Sequence, residues 1–265
     1  METDVYSSIQ TNVKKLLNID LTYYKDEQMK RRLDSWLIRV QSPSWPEYFK
    51  RLSADAKELE RFRDYLTINV TEFFRDPDRW STLRRDVIPV LVKESPQAAA
   101  GGGLKVWSAG CSIGVEAYTL TMLLEETLPN RAHTILASDF DRGALGKARA
   151  GGPYLADEIR NLTAEQRQRF FKPGGPPYAI KDEFIKRITF REQDLLADRF
   201  DTNLDLIICR NVIIYFTNEA KNMLFKKFYD ALRPGGVLFL GGTEIISRPG
   251  DFGYRNFGIS FYKKD

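Results

Sequence analysis

The stretch Leu104–Tyr118 constrains the fold most: a short buried strand, a glycine-hinged loop, and the first turn of a helix running to about Leu128. Gly110 and Gly114 permit positive φ and let a ligand approach bare backbone. The helix N-terminus behind them offers unpaired N–H groups and a partial positive charge. Open α/β sheets hold nucleotide-like ligands in this way, at the carboxyl ends of their strands. The spacing here is G-x-x-x-G, without the third glycine that cradles a pyrophosphate. A nucleoside ligand without phosphates, such as S-adenosylmethionine, needs only the tight turn and an acidic ribose partner further on. An ordinary βα turn accounts for the loop equally well, so the strand ends that follow must decide.

Past this unit, strands alternate with helices. Strand Lys105–Trp107 leads into helix Glu116–Leu128, and strand Thr134–Ser138 into helix Arg142–Ala150. Strand Ile188–Arg191 precedes strand Leu206–Cys209 and helix Glu219–Leu232. A stop at Arg233–Pro234–Gly235–Gly236, strand Val237–Leu240 and a final pair ending at Ile259–Tyr262 complete the series. This alternation predicts an α/β fold, a mostly parallel sheet covered on both faces. Gly174–Gly175–Pro176–Pro177 interrupts the order and predicts an inserted hairpin near residues 168–190.

The first hundred residues carry only helical periodicity. Val5, Ile9, Val13, Leu16 and Leu17 share a face, as do Met29, Leu33, Trp36, Leu37 and Val40, and then Leu59, Phe62 and Leu66. Ser44 and Glu47 form a capping box around Pro46, and Asp76 caps a helix with Pro77 at its first position. The boundaries expected are a helical domain over 1–92, a linker over 93–103 and an α/β domain over 104–265.

The 265 residues suffice for a sizeable core. A net charge of +4 is too small to argue for nucleic acid, and no apolar run approaches a membrane span. The polar N-terminus METDVYSSIQ is no signal peptide, so Asn69-Val70-Thr71 and Asn161-Leu162-Thr163 are not read as glycosylation sites. Cys111 and Cys209 are expected as reduced thiols in a cytoplasmic protein. With two cysteines and one histidine no usual structural zinc site forms, and His133 is expected at the surface rather than in a triad.

The candidate chemistry sits at strand ends. Asp139 closes the second strand, where an acid accepts bonds from ribose hydroxyls. Asp141 reads as the cap of the next helix, and a metal pair with Asp139 is the weaker alternative. Glu116, in the first turn of the loop's helix, is favoured there by the dipole or by a ligand's ammonium. Asp194 and the Leu195 N–H after the third strand are placed to read an adenine edge, with Asp198 solvated. Arg210 and Asn211 end an apolar strand, where burial without partners is costly, so they are expected at the crevice. Tyr215 is either core or faces a reacting centre.

Four stretches taken together resemble the chemotaxis receptor methyltransferases, the CheR family, over nearly the whole chain. They are Thr67–Arg75 (TINVTEFFR), Trp107–Ser112 (WSAGCS), Ala137–Asp141 (ASDFD) and Cys209–Phe216 (CRNVIIYF). The resemblance implies a Rossmann-like S-adenosylmethionine-dependent methyltransferase fold with a seven-stranded sheet behind a small all-α domain. It implies S-adenosylmethionine as donor, S-adenosylhomocysteine as product, and receptor glutamates converted to γ-glutamyl methyl esters. Donor contacts are carried onto Asn69, Thr71, Arg75, Gly110, Glu116, Asp139, Asp194, Leu195, Arg210 and Asn211, with Arg75 and Tyr215 nearest the transferred methyl. Where the family usually reads S-T-G-E-E-P-Y, this chain has Ile113, Val115 and Ala117, which predicts a looser loop and weaker donor binding.

The partner implied is the acidic helical region of cytoplasmic receptor domains, docked on the basic helix Lys25–Arg39 through Lys25, Arg32 and Arg39. A cytoplasmic monomer recruited to receptor arrays, without metal, nucleic acid or membrane insertion, is expected. The short, proline-rich excursion argues against gripping a tethering peptide. Two rival readings stand beside this one: a methyltransferase with another carboxylate acceptor, and a non-catalytic module that binds the donor or its demethylated product as a signal.

Overall fold

The computed structural model describes residues 3–66 and 71–265, which divide into two compact units: one of residues up to Ile68 together with Tyr215–Asn222, the other of Asn69–Ile214 and Met223–Asp265. In the first unit, helices α1 (Thr3–Leu17), α2 (Asp26–Arg39), α3 (Trp45–Ala54) and α4 (Ala56–Leu66) follow one another. Tyr6, Ile9, Val13 and Leu17 form the buried stripe of α1, while Val5 faces solvent. Trp36, Trp45, Tyr48 and Phe62 make an aromatic core, with Tyr48 edge-on to Phe62 at 5.6 Å. Each such ring contributes roughly 1.5–3 kcal/mol by leaving water. Glu58 is buried among them and satisfied: it accepts from Tyr48 Oη at 3.0 Å and from Arg61 at 2.7 Å, and it also pairs with Arg51. Ser44 does cap α3, accepting from the Glu47 N–H.

The second unit begins with helices α5 (Pro77–Thr82) and α6 (Ile88–Glu94), joined by a π-helical turn over Leu83–Val87, then a short α7 (Pro96–Ala99). Trp80, Leu83, Val87, Ile88, Leu91 and Ala98 belong to the same buried cluster as the sheet. Helices α5 to α7 thus share the core of the sheet, and Pro96–Ala99, within the stretch expected as a linker, is helical. Apolar spacing identifies a helix but not the core that receives it.

Then come β1 (Lys105–Ala109), α8 (Val115–Thr127), β2 (Thr134–Asp139), α9 (Arg142–Ala150), α10 (Ala164–Phe170), α11 (Asp182–Ile185), β3 (Ile188–Glu192), β4 (Leu204–Cys209), α12 (Asn218–Ala231), β5 (Leu232–Leu240), β6 (Tyr254–Asn256) and β7 (Phe261–Lys264). The seven strands lie in the order β3-β2-β1-β4-β5-β7-β6. β1 to β5 are parallel, and β7 is antiparallel to both β5 and β6. The chain reverses its direction of progress across the sheet between β1 and β4, and at that switch point the strand ends open a crevice.

Three local expectations change. Arg233–Pro234–Gly235–Gly236 is no stop but a bulge inside β5, between the pairs Leu204–Leu232 and Leu206–Val237. Arg233 Nε reaches Asp205 there at 2.5 Å, so the interruption buries an ion pair. The inserted excursion carries no ladder. Isolated bridges Tyr154–Tyr178 and Phe171–Ile180 close it, and α10 and α11 supply most of its regular structure. His133 is half-buried rather than at the surface: its Nδ1 accepts the Leu104 N–H at 3.1 Å and helps to fix the start of β1.

Candidate functional site

The loop after β1 takes positive φ at Gly110 (79°), Ser112 (49°) and Gly114 (87°). It is anchored from β2, because Gly110 and Cys111 both donate to the Ser138 carbonyl, at 2.8 and 2.9 Å. A Cβ on Gly110 would lie 2.5 Å from Val212 Cγ2, so only glycine lets the two strand-end segments approach this closely. Ile113, Val115 and Ala117, the departures from the family pattern, are all buried in the sheet's core. Tyr154 Oη also donates to the Ile113 carbonyl at 2.8 Å. The loop is thus held by packing, which removes the physical basis for expecting it to be loose.

Asp139, Asp141 and Glu116 flank this loop, and the buried Arg210 guanidinium stands beside Glu116. Asp139 takes the Ser112 N–H on Oδ2 at 2.7 Å and the Asp141 N–H on Oδ1 at 2.9 Å. Burial nevertheless pushes its carboxyl up to about 6. Asp141 caps α9 as expected, accepting from Ala144. Glu116, opening α8, accepts from Ser108 Oγ at 2.8 Å and stands 3.8 Å from Arg210 Nη1. Burial raises it to about 7, against the lowering pull of Arg210, Ser108 and Arg75.

The Arg210 side chain is 3% exposed. Its Nη2 donates to Asp76 Oδ2 at 2.6 Å and to the Arg75 carbonyl at 3.1 Å, and its plane lies over Phe239 and Trp80 at 5.0 and 5.6 Å. Its Nε is buried with no acceptor among the described residues. Asp76 therefore does not cap α5 with its side chain. It sits in the left-handed region (φ 59°) and gives its carboxylate to Arg210 instead.

Thr71 and Arg75 lie in the same unit, half-buried, on the segment leading into α5. Asn69 lies outside the described residues. Asp194 folds back on its own turn, with Oδ1 accepting from Leu196 at 2.8 Å and from Ala197. Asp198, expected to be merely solvated, is exposed but accepts the Asp194 N–H at 2.8 Å. Tyr215 ends the 3-10 turn Ile213–Tyr215 and is counted with the helical unit, where its carbonyl accepts the Lys25 N–H at 3.0 Å.

Two charged residues that motif reading passed over also hold these segments. Lys227 on α12 donates to the carbonyls of Leu195, Leu196 and Asp198 at 2.7, 3.3 and 2.8 Å, clamping the loop after β3. Glu244, after β5, accepts main-chain N–H groups from the loop after β4. Neither carried a signal in the sequence, since a lone lysine on a helix and a lone acid after two glycines are unremarkable.

Glu116 and Asp139, whose carboxyls burial raises, fit a ligand that brings a positive group. The Arg210 Nε, without an acceptor among the described residues, fits one that also bears an acceptor. The methionine moiety of S-adenosylmethionine, with ammonium, carboxylate and sulfonium, has that pattern.

The strand order is that of the S-adenosylmethionine-dependent methyltransferase fold, here preceded by an all-α domain. The SAM-binding domain of the CheR methyltransferases matches residues 69–257, and the all-alpha domain of the same family matches residues 4–67. The chain belongs to the CheR methyltransferase family. It is 42% identical over 252 residues to a chemotaxis protein methyltransferase of Listeria innocua, covering 95% of this chain and 94% of that one. Chemotaxis protein methyltransferase 2 of Vibrio cholerae is 31% identical over 236 residues, covering 85% and 78%.

Proposed function

We propose that this chain is a protein-glutamate O-methyltransferase, moving the methyl group of S-adenosylmethionine onto glutamate side chains of chemotaxis receptors. The observation that supports it most is the pairing of Glu116 with Arg210 beside a loop whose Ser112 N–H is held by Asp139, at the switch point of the sheet. Bound there, the donor supplies an electrophilic methyl group. Glutamate ionises near pH 4.3, so the acceptor is already a carboxylate at neutral pH and no general base is required. That suits a chain whose only histidine is spent on the start of β1. In this reading Asp139 holds the ribose, Glu116 the ammonium, and Asp194 with the Leu195 N–H the adenine edge. Asn69, Thr71, Gly110, Arg210 and Asn211 complete the donor site. Arg75 steers the acceptor carboxylate and Tyr215 fixes geometry near the sulfur, where in-line approach at about 3–3.5 Å and exclusion of water lower the barrier.

Labelled donor incubated with receptor membranes should yield methyl groups released as volatile methanol in mild alkali, the signature of a carboxylate ester. Labelling without methanol would reject ester formation. Tight donor binding without any transfer would reject the enzyme reading itself.

Donor binding should be linked to protons. Glu116 sits near 4.5 in an unfolded chain and near 7 here, so between those values the folded protein keeps a proton the unfolded chain has lost. Its contribution to stability is therefore full below about pH 4.5 and lost as pH rises through 7. A cation bound against ionised Glu116 expels that proton. Affinity for the donor should accordingly rise about tenfold from pH 6 to 8. Calorimetry in buffers of unlike ionisation enthalpy should read proton release at pH 6.5, and Glu116→Gln should abolish it.

Among the described residues no helix is long and apolar enough to cross a membrane. We take the receptor's acidic helices to dock on α2 of a cytoplasmic monomer recruited to receptor arrays. Lys25 and Arg39 are exposed there. Arg32 is not available as expected: it packs over the Tyr65 ring at 4.8 Å and donates to the Tyr65 carbonyl, because its long stem finds apolar surface there. The remaining steering is ionic, so KM for receptor should rise severalfold as ionic strength goes from about 0.03 to 0.3 M while kcat stays level. A flat KM would exclude docking on this face.

A further inference from the structure

Glu244 lies in the turn that follows β5, on the neighbour of β4 in the sheet, and is 3% exposed. A lone carboxylate in that position is costly unless its lone pairs are filled. Its Oε2 accepts from the Asn211 and Gly241 N–H groups, both at 2.8 Å, and Oε1 accepts from Ile214 at 3.2 Å. One side chain thus ties the exit of β5 to the corner after β4 that carries Arg210 and Asn211. That corner needs the tie, because Asn211 sits in the left-handed region at φ 60°. The glycine before it is fitted to the same contact: a Cβ on Gly241 would stand 2.5 Å from Glu244 Oε2 and 3.0 Å from the Asn211 nitrogen.

We infer that Glu244 is a positioning residue of the donor site, fixing the Arg210–Asn211 corner against Glu116 and adding a buried negative charge that the bound cation offsets. The inference rests on the reading of this crevice as the donor site.

Glutamine has the same length, but its single amide oxygen cannot replace two carboxylate oxygens that accept three N–H groups. The charge also reaches the site: after burial, Glu244 is among the groups that raise Glu116, and burial raises the Cys209 thiol with Glu244, Glu116 and Asp139 adding to it. The charged groups facing Glu116 are Arg210, Arg75 and Glu244, while Glu244 itself meets the main-chain N–H groups of Gly241, Asn211, Ile213 and Ile214. Burial raises Glu244 despite those donors, which marks how completely it is withdrawn from water.

The test uses the full chain and S-adenosylhomocysteine, which requires no acceptor, titrated calorimetrically between pH 6 and 8 alongside thermal melts. Glu244→Gln should weaken binding about tenfold or more and move the pH midpoint of binding downward, since Glu116 loses a repelling neighbour. Glu244→Asp keeps the charge but cannot span the same three donors, so it should weaken binding with the midpoint in place. Wild-type affinity in either folded variant, or an unmoved midpoint in Glu244→Gln, overturns the inference. If Glu244→Gln fails to fold, Glu244→Asp decides by affinity alone. Failure of the wild-type chain to bind the compound at all would instead overturn the reading of the crevice as the donor site.

Discussion

Arg210→Ala should lower the stability of the protein by about 3 kcal/mol and abolish measurable donor binding. Deleting one member of a buried ion pair costs roughly 3–5 kcal/mol because its partner is left uncompensated. The lower end applies here, since the Asp76 carboxylate is 47% exposed and returns to water cheaply, while Glu116 at 13% does not. The guanidinium also fills the space over Phe239 and Trp80 and holds the Arg75 carbonyl. Three kcal/mol corresponds to a fall of about 10 °C in melting temperature for a chain of this size. Arg210→Lys restores a charge without the fork and should recover part of the stability but little of the binding. A melt of Arg210→Ala within two or three degrees of wild type would show that the guanidinium is not holding the carboxylates together.

How much of this was legible in the sequence depends on whether a residue's partner is near it in the chain. Asp141 was readable as a cap because it bonds three residues ahead, and the βα alternation was readable because periodicity is local. Asp76 shows the limit. Pro77 at the first helical position was right, but the cap carboxylate goes to Arg210, 134 residues away, because a buried guanidinium competes more strongly than an exposed helix end. Arg210 itself was recognisable as an expensive strand-end charge, though not its three companions. Glu244 bonds main-chain groups 33 and 30 residues back, and Lys227 does the same for the loop at Asp194, so neither leaves a motif. The bulge at Arg233 looked like a stop because Pro-Gly-Gly breaks strands, and only the partner Asp205 shows why this strand continues through it.

Arg75→Ala should leave the fold in place and remove catalysis. Three main-chain bonds tie Arg75 to the fold: its carbonyl accepts from Trp80 Nε1 at 2.9 Å and from Arg210 Nη2 at 3.1 Å, and its N–H donates to the Glu72 carbonyl. Truncating this half-buried side chain spares all three, so the melting temperature should fall by less than in Arg210→Ala. The guanidinium, by contrast, is close enough for its charge to lower Glu116. If it steers the acceptor carboxylate into line with the methyl group, its loss removes an interaction made at the reacting centre. Such losses are worth about 10²–10³ in kcat, or roughly 3–4 kcal/mol. Donor affinity should change far less, and the pH midpoint of donor binding should rise because Glu116 loses a stabilising neighbour. Arg75→Lys should fall between the two, keeping the charge and losing the fork. Turnover within about threefold of wild type in Arg75→Ala would assign the steering of the acceptor to another group.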